Sequence, residues 1–335
     1  MNILLTGGTG YIASHTAVVL IKEGHKVVLF DNLANSDISV LDRLEKILSK
    51  KISFIEGDVL DSELLSKTLK KYKIDAVIHF AGLKAVGESV ENPLHYYENN
   101  VGGSISLIKA MQKNGIKKIV FSSSCTVYGE PQYLPLDESH PTNPINPYGF
   151  TKLFAENILH DLSISEPTWS IAVLRYFNPV GAHESGLIGE SPRGIPNNLM
   201  PFIAKVATGE LKSLKVFGND YNSRDGTCER DYIHVMDLAE GHLAGLNFLE
   251  DHKGWYAINL GTGQSTTVLE LLQAFEKINH VKIPYEIVGR RKGDAPACYA
   301  KPSYANKILD WKTKRSIELM CESSWKWESS RYNLT

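Results

Sequence analysis

Thr6-Gly7-Gly8-Thr9-Gly10-Tyr11-Ile12-Ala13 is the stretch on which the fold turns. The apolar run Ile3–Leu5 precedes it, and a helical pattern over Ser14–Lys22 follows. Strand, glycine turn and helix in that order open a dinucleotide-binding βαβ unit. Gly7 permits the tight turn, and Gly10 lets backbone amides approach a pyrophosphate at the helix N-terminus. The third small residue, Ala13, keeps strand and helix close. Alone the pattern is weak, because many glycine-rich turns are structural only. Its surroundings strengthen it. Short apolar runs at Val27–Phe30, Ser53–Glu56, Ala76–Phe80, Ile119–Ser122 and Ile171–Arg175 read as fully buried strands. Between them, Asp61–Lys71, Tyr96–Lys113 and Tyr148–Leu162 have helical spacing. This alternation predicts an α/β fold, a Rossmann-type doubly wound parallel sheet.

The second strand ends in Asp31. A carboxylate there accepts both hydroxyls of an adenosine ribose and repels a 2′-phosphate, which favours NAD over NADP. Gly57-Asp58-Val59 after the third strand suits the adenine edge. Phe80-Ala81-Gly82 after the fourth offers small residues where the chain passes close to the cofactor.

Past Asn178 the rhythm changes: Pro179, Gly181, Gly186, Gly189, Pro192, Gly194, Pro196 and Pro201 crowd an irregular stretch. A chain of 335 residues exceeds one ordinary core. We expect an NAD-binding domain over residues 1–177 and a smaller α+β substrate-binding domain over 178–335, built above the carboxyl ends of the strands. The boundary is soft, since late elements such as Ala257–Leu260 and Leu269–Lys277 can return to the first domain.

Composition excludes other classes. With 36 Lys+Arg against 38 Asp+Glu, a net charge of -2, 43% hydrophobic and 22% charged residues, the chain reads as globular and not nucleic-acid-binding. Cys125, Cys228, Cys298 and Cys321 lie far apart without a CxxC pair, which points to reduced thiols in a cytoplasmic protein. The 11 His form no HExxH pair, so no metal is expected. Met1–Ile21 carries no charged side chain, but it lacks a basic leader and is broken by glycines and His15, so neither a signal peptide nor a membrane span is expected.

Chemistry enters with Tyr148-Gly149-Phe150-Thr151-Lys152, which sets a phenol and an ammonium at i and i+4 on one helix face. A free phenol titrates at about 10, so it is a poor base at neutral pH. Lys152 and a positive nicotinamide ring would both favour the phenolate and bring Tyr148 into working range. By itself this spacing is common and also describes a surface Tyr on a Lys stem. Ser122-Ser123-Ser124 closes the preceding strand, where a hydroxyl can hold the reacting oxygen against the phenol.

The glycine turn together with Tyr148-x-x-x-Lys152 resembles the extended short-chain dehydrogenases/reductases. More narrowly, the chain is similar to the UDP-glucose 4-epimerase family along nearly its whole length. The matching blocks are Gly7–Thr16, Phe80–Val90, Ser122–Gly129, Pro147–Lys152, Leu174–His183, Gly194–Pro201 and Arg230–Ala239. The resemblance implies inversion at C4 of a UDP-hexose through a transient 4-keto sugar, with NAD never released, in a homodimer. It implies that Ser124, Tyr148 and Lys152 are catalytic. It places Gly7, Gly10, Tyr11, Ile12, Asp31, Asn32, Asn35, Asp58, Val59, Phe80, Ala81, Gly82, Lys84, Asn99, Ser124, Tyr148, Lys152 and Phe177 on the cofactor. Ser124, Thr126, Tyr148, Asn178, Asn198, Leu199, Phe217, Arg230, Arg291, Asp294 and Cys298 would meet the UDP-sugar. Guanidinium forks at Arg230 and Arg291 suit a diphosphate; Arg290, beside Arg291, is the competing register.

Departures from the family matter too. Cys125 stands where Ala is common, and Phe150 replaces a residue that is often polar. Cys298 stands where some members carry a bulky Tyr, which implies room for a 2-acetamido group and hence use of UDP-N-acetylglucosamine and UDP-N-acetylgalactosamine. Two other readings stay open. A nucleotide-sugar 4,6-dehydratase begins with the same C4 oxidation, but related dehydratases have an Asp-Glu pair where Cys125-Thr126 follows Ser124. A non-catalytic NAD-binding scaffold on this fold would not need Tyr148 and Lys152.

Overall fold

β1 (Asn2–Thr6) leads through the glycine turn into α1 (Tyr11–Lys22), and the same unit repeats along the first half of the chain. The elements that follow are β2 (Lys26–Asp31), α2 (Val40–Leu48), β3 (Ser53–Glu56), α3 (Ser62–Lys71), β4 (Ala76–His79), α4 (Val86–Glu91), α5 (Pro93–Tyr96), α6 (Gly103–Lys113), β5 (Lys118–Ser124), α7 (Pro147–Ser165) and β6 (Ser170–Tyr176). The second half adds β7 (Asn178–Val180), α8 (Leu199–Ala207), β8 (Leu214–Phe217), β9 (Glu229–Arg230), β10 (Tyr232–His234), α9 (Val235–Phe248) and β11 (Gly254–Leu260). It closes with β12 (Thr266–Thr267), α10 (Val268–Asn279), β13 (Tyr285–Val288), β14 (Ala297–Cys298), α11 (Ser303–Leu309) and α12 (Ile317–Arg331). This is a computed structural model that describes residues 1–192, 196, 198–291 and 295–332.

Seven strands form one sheet in the order β11-β6-β5-β4-β1-β2-β3. Every pairing in it is parallel. Helices cover both faces, as the unbroken apolar strands require. Alternation within each strand divides the interior: Ile3, Leu5, Val27 and Leu29 face one core, while Leu4, Val28 and Phe30 face the other. The strand order reverses between β1 and β4, and there the turn after β1 and the segment after β4 frame a crevice. Open α/β sheets bind ligands at such a point.

Three expectations are corrected. Ser53–Glu56 is not a buried strand but the half-exposed edge of the sheet, since β3 has a neighbour on one side only. Tyr96–Lys113 is not one helix. A π-helical turn at Tyr97–Gly102 separates α5 from α6, and its wider winding leaves Asn99 lining the cleft while Asn100 is buried. Leu269–Lys277 does not join the first core; α10 packs with α8, β8 and α12 around a third one.

β11 pairs with β6 across all of Gly254–Leu260, so late residues complete the first sheet. α9 and α11 also pack on the first core, through Leu238, Leu246 and Ala305. A cut at 177/178 would therefore sever β11, α9 and α11 from the sheet and core they complete. No helix among the described residues is long and apolar enough to cross a membrane.

Candidate active site

A cleft of about 1570 Å³ runs from the glycine turn, over the end of β5, to α8, β9 and β14. Gly7 has φ +64, and a Cβ there would lie 2.8 Å from the Ala81 backbone nitrogen, so both conformation and space demand glycine. Gly10 caps α1 without a side-chain bond, and Gly10, Tyr11 and Ile12 line the cleft, which leaves the helix N-terminus open to an anion. Asp31 closes this end. Its Oδ2 accepts from Thr9 N at 3.1 Å, and its Oδ1 accepts from Leu33 N and Ser36 Oγ. These bonds fix the carboxylate at the cleft wall. A cradle that side chains would fill, an open helix N-terminus and an ordered acid fit a dinucleotide such as NAD.

The serine run divides its labour by strand alternation. Ser123 points away and donates to Glu156, which is itself held by Arg175 in a buried ion pair. Ser122 keeps its backbone carbonyl for Lys152 Nζ at 2.9 Å, and its hydroxyl donates to Tyr176. Ser124 alone of the run lines the cleft; it accepts from Thr126 Oγ1 at 3.0 Å and shares the cleft wall with Tyr148. α7 delivers Tyr148 and Lys152. Pro147 starts the helix, the Asn146 side chain accepts from Gly149 N, and the buried stripe Tyr148, Thr151, Lys152, Ala155 recurs at helical spacing.

Electrostatics amend the expected activation of the base. Burial pushes the Tyr148 phenol well above its ordinary value, against the lowering contributed by Ser124. Lys152 acts on the phenol only from a distance. The ammonium is turned to the Ser122 carbonyl and lies 6.0 Å from the Tyr148 ring centroid. Burial lowers Lys152 to about 8, opposed by Glu156. His79, behind it, falls to about 3 through burial and then the Lys152 charge, so it is neutral. The chain by itself therefore keeps the phenol protonated, and the phenolate needs a positive charge brought into the cleft.

Of the residues expected on the cofactor, all but Asp58 line the cleft. Asp58 acts one step removed: its Oδ2 accepts from Asn32 Nδ2 at 2.8 Å. On the sugar side, Thr126, Asn178, Asn198, Leu199, Phe217, Arg230, Arg291 and Cys298 line the same cleft, whereas Asp294 lies outside the described residues. The two neighbouring arginines lie in different places. Arg290 pairs with Asp220 and stacks on Tyr221, while Arg291 lies over Phe217 in the cleft wall. Arg230 is braced by the Glu229 and Ala295 carbonyls. Cys125 and Cys298 pack on the same small core beside the cleft, and the neighbouring Cys298 thiol together with burial pushes the Cys125 thiol up. Phe150 packs on Phe154 along the outer side of α7, 6.0 Å between rings.

The sequence reading missed Glu190, Trp327 and Arg331, which also line the cleft. No motif marks them; the glycines around Glu190 were the one local signal. Among the described residues no group of acids, His and Cys could hold a metal.

Comparison with known proteins bears on this geometry. The family model described as GDP-mannose 4,6 dehydratase matches residues 4–324. A UDP-glucose 4-epimerase of Bacillus subtilis is 54% identical over 333 residues, covering 99% of this chain and 98% of that protein. The structure of a Stenotrophomonas maltophila UDP-glucose-4-epimerase with bound NAD and formylated UDP-arabinopyranose superposes with a TM-score of 0.98 at 48% identity, covering 100% of both chains. That of the Bifidobacterium longum UDP-glucose 4-epimerase with NAD+ and UDP gives 0.96 at 50% identity, again over 100% of both chains.

Proposed function

The chain belongs to the UDP-glucose 4-epimerase family, and from that premise we propose how its cleft works. The protein is an NAD-dependent isomerase that interconverts UDP-glucose and UDP-galactose by inversion at C4. One observation carries the assignment of roles: Ser124, Tyr148 and Lys152 lie midway along a single cleft, between a dinucleotide end and an arginine-lined end.

Gly7, Gly10, Tyr11, Asp31, Lys84 and Asn99 would hold NAD, with Asn32 and Asp58 at the adenine side. Bound NAD supplies the electron sink at C4, taking up the hydride and returning it. Tyr148 takes the proton from the sugar 4-hydroxyl and gives it back after the intermediate has turned. Ser124 orients that oxygen from the same cleft wall, against the phenol. Lys152 contributes its charge from 6.0 Å and is kept poised, at about 8, by the same burial. Arg230 and Arg291 would grip the diphosphate, with Asn178, Asn198, Leu199 and Phe217 around the nucleotide. Firm contacts on the nucleotide and few on the hexose permit the sugar to rotate. Cys298 leaves the space for a 2-acetamido group, so the N-acetylated pair is also used.

The test is product analysis with purified protein and UDP-galactose. UDP-glucose is the expected product, and Tyr148→Phe should abolish its formation. A stable 4-keto-6-deoxy sugar would instead indicate the dehydratase reaction, for which Cys125-Thr126 offers no acid–base pair. NAD should be released only on denaturation, as befits a redox-neutral cycle; freely exchanging cofactor would count against it. We also propose a cytoplasmic homodimer. The apolar surface of Val90, Leu94 (82% exposed) and Phe154 beside α7 supports it, and light scattering at micromolar concentration decides.

A further inference from the structure

Glu190 belongs to no motif, yet its side chain lies between the two ends of the cleft. A single carboxylate oxygen, Oε1, accepts from Lys84 Nζ and from Asn198 Nδ2, each at 2.8 Å. Lys84 follows β4 on the cofactor side, and Asn198 is the N-cap of α8 on the nucleotide-sugar side. The Glu190 side chain is only 9% exposed, whereas that of Lys84 is half-exposed.

Asn198 is informative. An Asn at an N-cap ordinarily accepts from its own helix. Asn198 makes no such bond, and its amide is turned to Glu190 instead. Behind Glu190 stands the C-terminal helix. Trp327 Nε1 donates to the Glu190 carbonyl at 3.0 Å, and a Cβ on Gly189 would come within 2.4 Å of the same ring. The backbone at Glu190 is thereby pinned, and its carboxylate is aimed into the cleft.

We propose that Glu190 is a positioning residue that ties the cofactor end of the cleft to the nucleotide-sugar end through Lys84 and Asn198. The inference rests on the assignment of those two ends given above. Removing the carboxylate frees the Lys84 cation beside the cofactor. It also lets Asn198 swing back to cap α8, which changes what that helix end presents to a phosphate.

Two variants test this in the full-length protein. Glu190→Ala should raise KM for UDP-galactose about tenfold or more, as loss of a charge-assisted hydrogen bond does, with kcat less affected. It should also lose NAD during gel filtration. Glu190→Gln keeps an acceptor for Asn198 but not the charge, so KM should return toward the parent value while NAD retention stays weak, most visibly at low salt. A purely structural residue would lower the melting temperature of both variants and leave KM and NAD content alone; that result overturns the proposal. So does an equal KM for the Gln and Ala variants. If Glu190→Ala fails to fold, Glu190→Gln decides: near-parent KM with reduced NAD retention supports the tie, and parent values of both overturn it. UDP affinity by calorimetry and NAD content need no turnover, so they still judge Glu190 should the parent protein prove unable to epimerise UDP-galactose.

Discussion

Lys152→Met tests the electrostatics of the site most directly. Methionine matches the length of the lysine stem and removes only the charge and the donor to Ser122. At the 6.0 Å that separates Nζ from the Tyr148 ring, and an effective dielectric of about 20, a unit charge interacts with a phenolate by roughly 3 kcal/mol. That corresponds to about two pH units on the base and on the order of 100-fold in rate near neutral pH. The assay is kcat for UDP-galactose between pH 6 and 10 with NAD content measured in parallel. The expected profile rises to higher pH than the parent's, and activity partly recovers in alkali. A variant with normal NAD content, parent kcat and an unshifted profile would refute the charge argument.

The same substitution has a stability signature of opposite sign. Burial lowers Lys152 from 10.5 to about 8, so between those values the unfolded chain binds more protons than the folded one. The cost of the buried cation, on the order of 3 kcal/mol, is therefore full below pH 8 and fades as pH rises toward 10.5. Losing the donor to the Ser122 carbonyl costs about 1–3 kcal/mol in return. Lys152→Met should thus melt no lower than the parent at pH 7, and any advantage should shrink on raising pH from 8. Catalysis falling while stability holds is the pattern of a charge kept for function.

Glu156→Gln should lower the melting temperature sharply, because it strips the buried Arg175 of its counter-charge, a loss of about 3–5 kcal/mol; thermal unfolding reads it, and an unchanged melt would show the pair to be dispensable. Asp31→Ala removes the acceptor of Thr9, Leu33 and Ser36 at the adenosine end, so NAD retention after gel filtration should fall at least about tenfold. Cys298→Tyr should depress turnover of the N-acetylated pair at least about tenfold more than that of UDP-galactose, and equal losses would remove the pocket argument.

Sequence reading reached what strand ends and helix spacing determine. The turn after β1, Asp31 after β2, Ser124 after β5 and the Tyr148–Lys152 face of α7 are all local, and the sheet gathers them at one edge because parallel strands share a carboxyl end. What escaped depends on partners distant in sequence. Whether Ser53–Glu56 is buried depends on its having one neighbour, which no apolar pattern reports. The return of Ala257–Leu260 to the first domain is legible, but its place beside β6, 84 positions earlier at Gly254 and Ser170, is set by a pairing no local pattern reports. The π turn at Tyr97–Gly102 keeps helical composition and changes only winding, so the periodicity of Tyr96–Lys113 conceals it.

The activation of Tyr148 shows why residue types alone mislead about charge. The i, i+4 spacing does put phenol and ammonium on one face, but the face is buried, and burial acts on each group against its charged form: the phenol rises and the lysine falls. Lys152 then satisfies its ammonium on the Ser122 carbonyl, a partner supplied by β5 and not by its own helix. The spacing is necessary for the chemistry, and the sheet decides what it does. Glu190 is the converse case. Its side chain has an ordinary identity and no motif, but α12, 137 positions later, fixes its backbone and aims it at Lys84 and Asn198. A carboxylate so placed is legible only once the C-terminal helix has returned to the cleft.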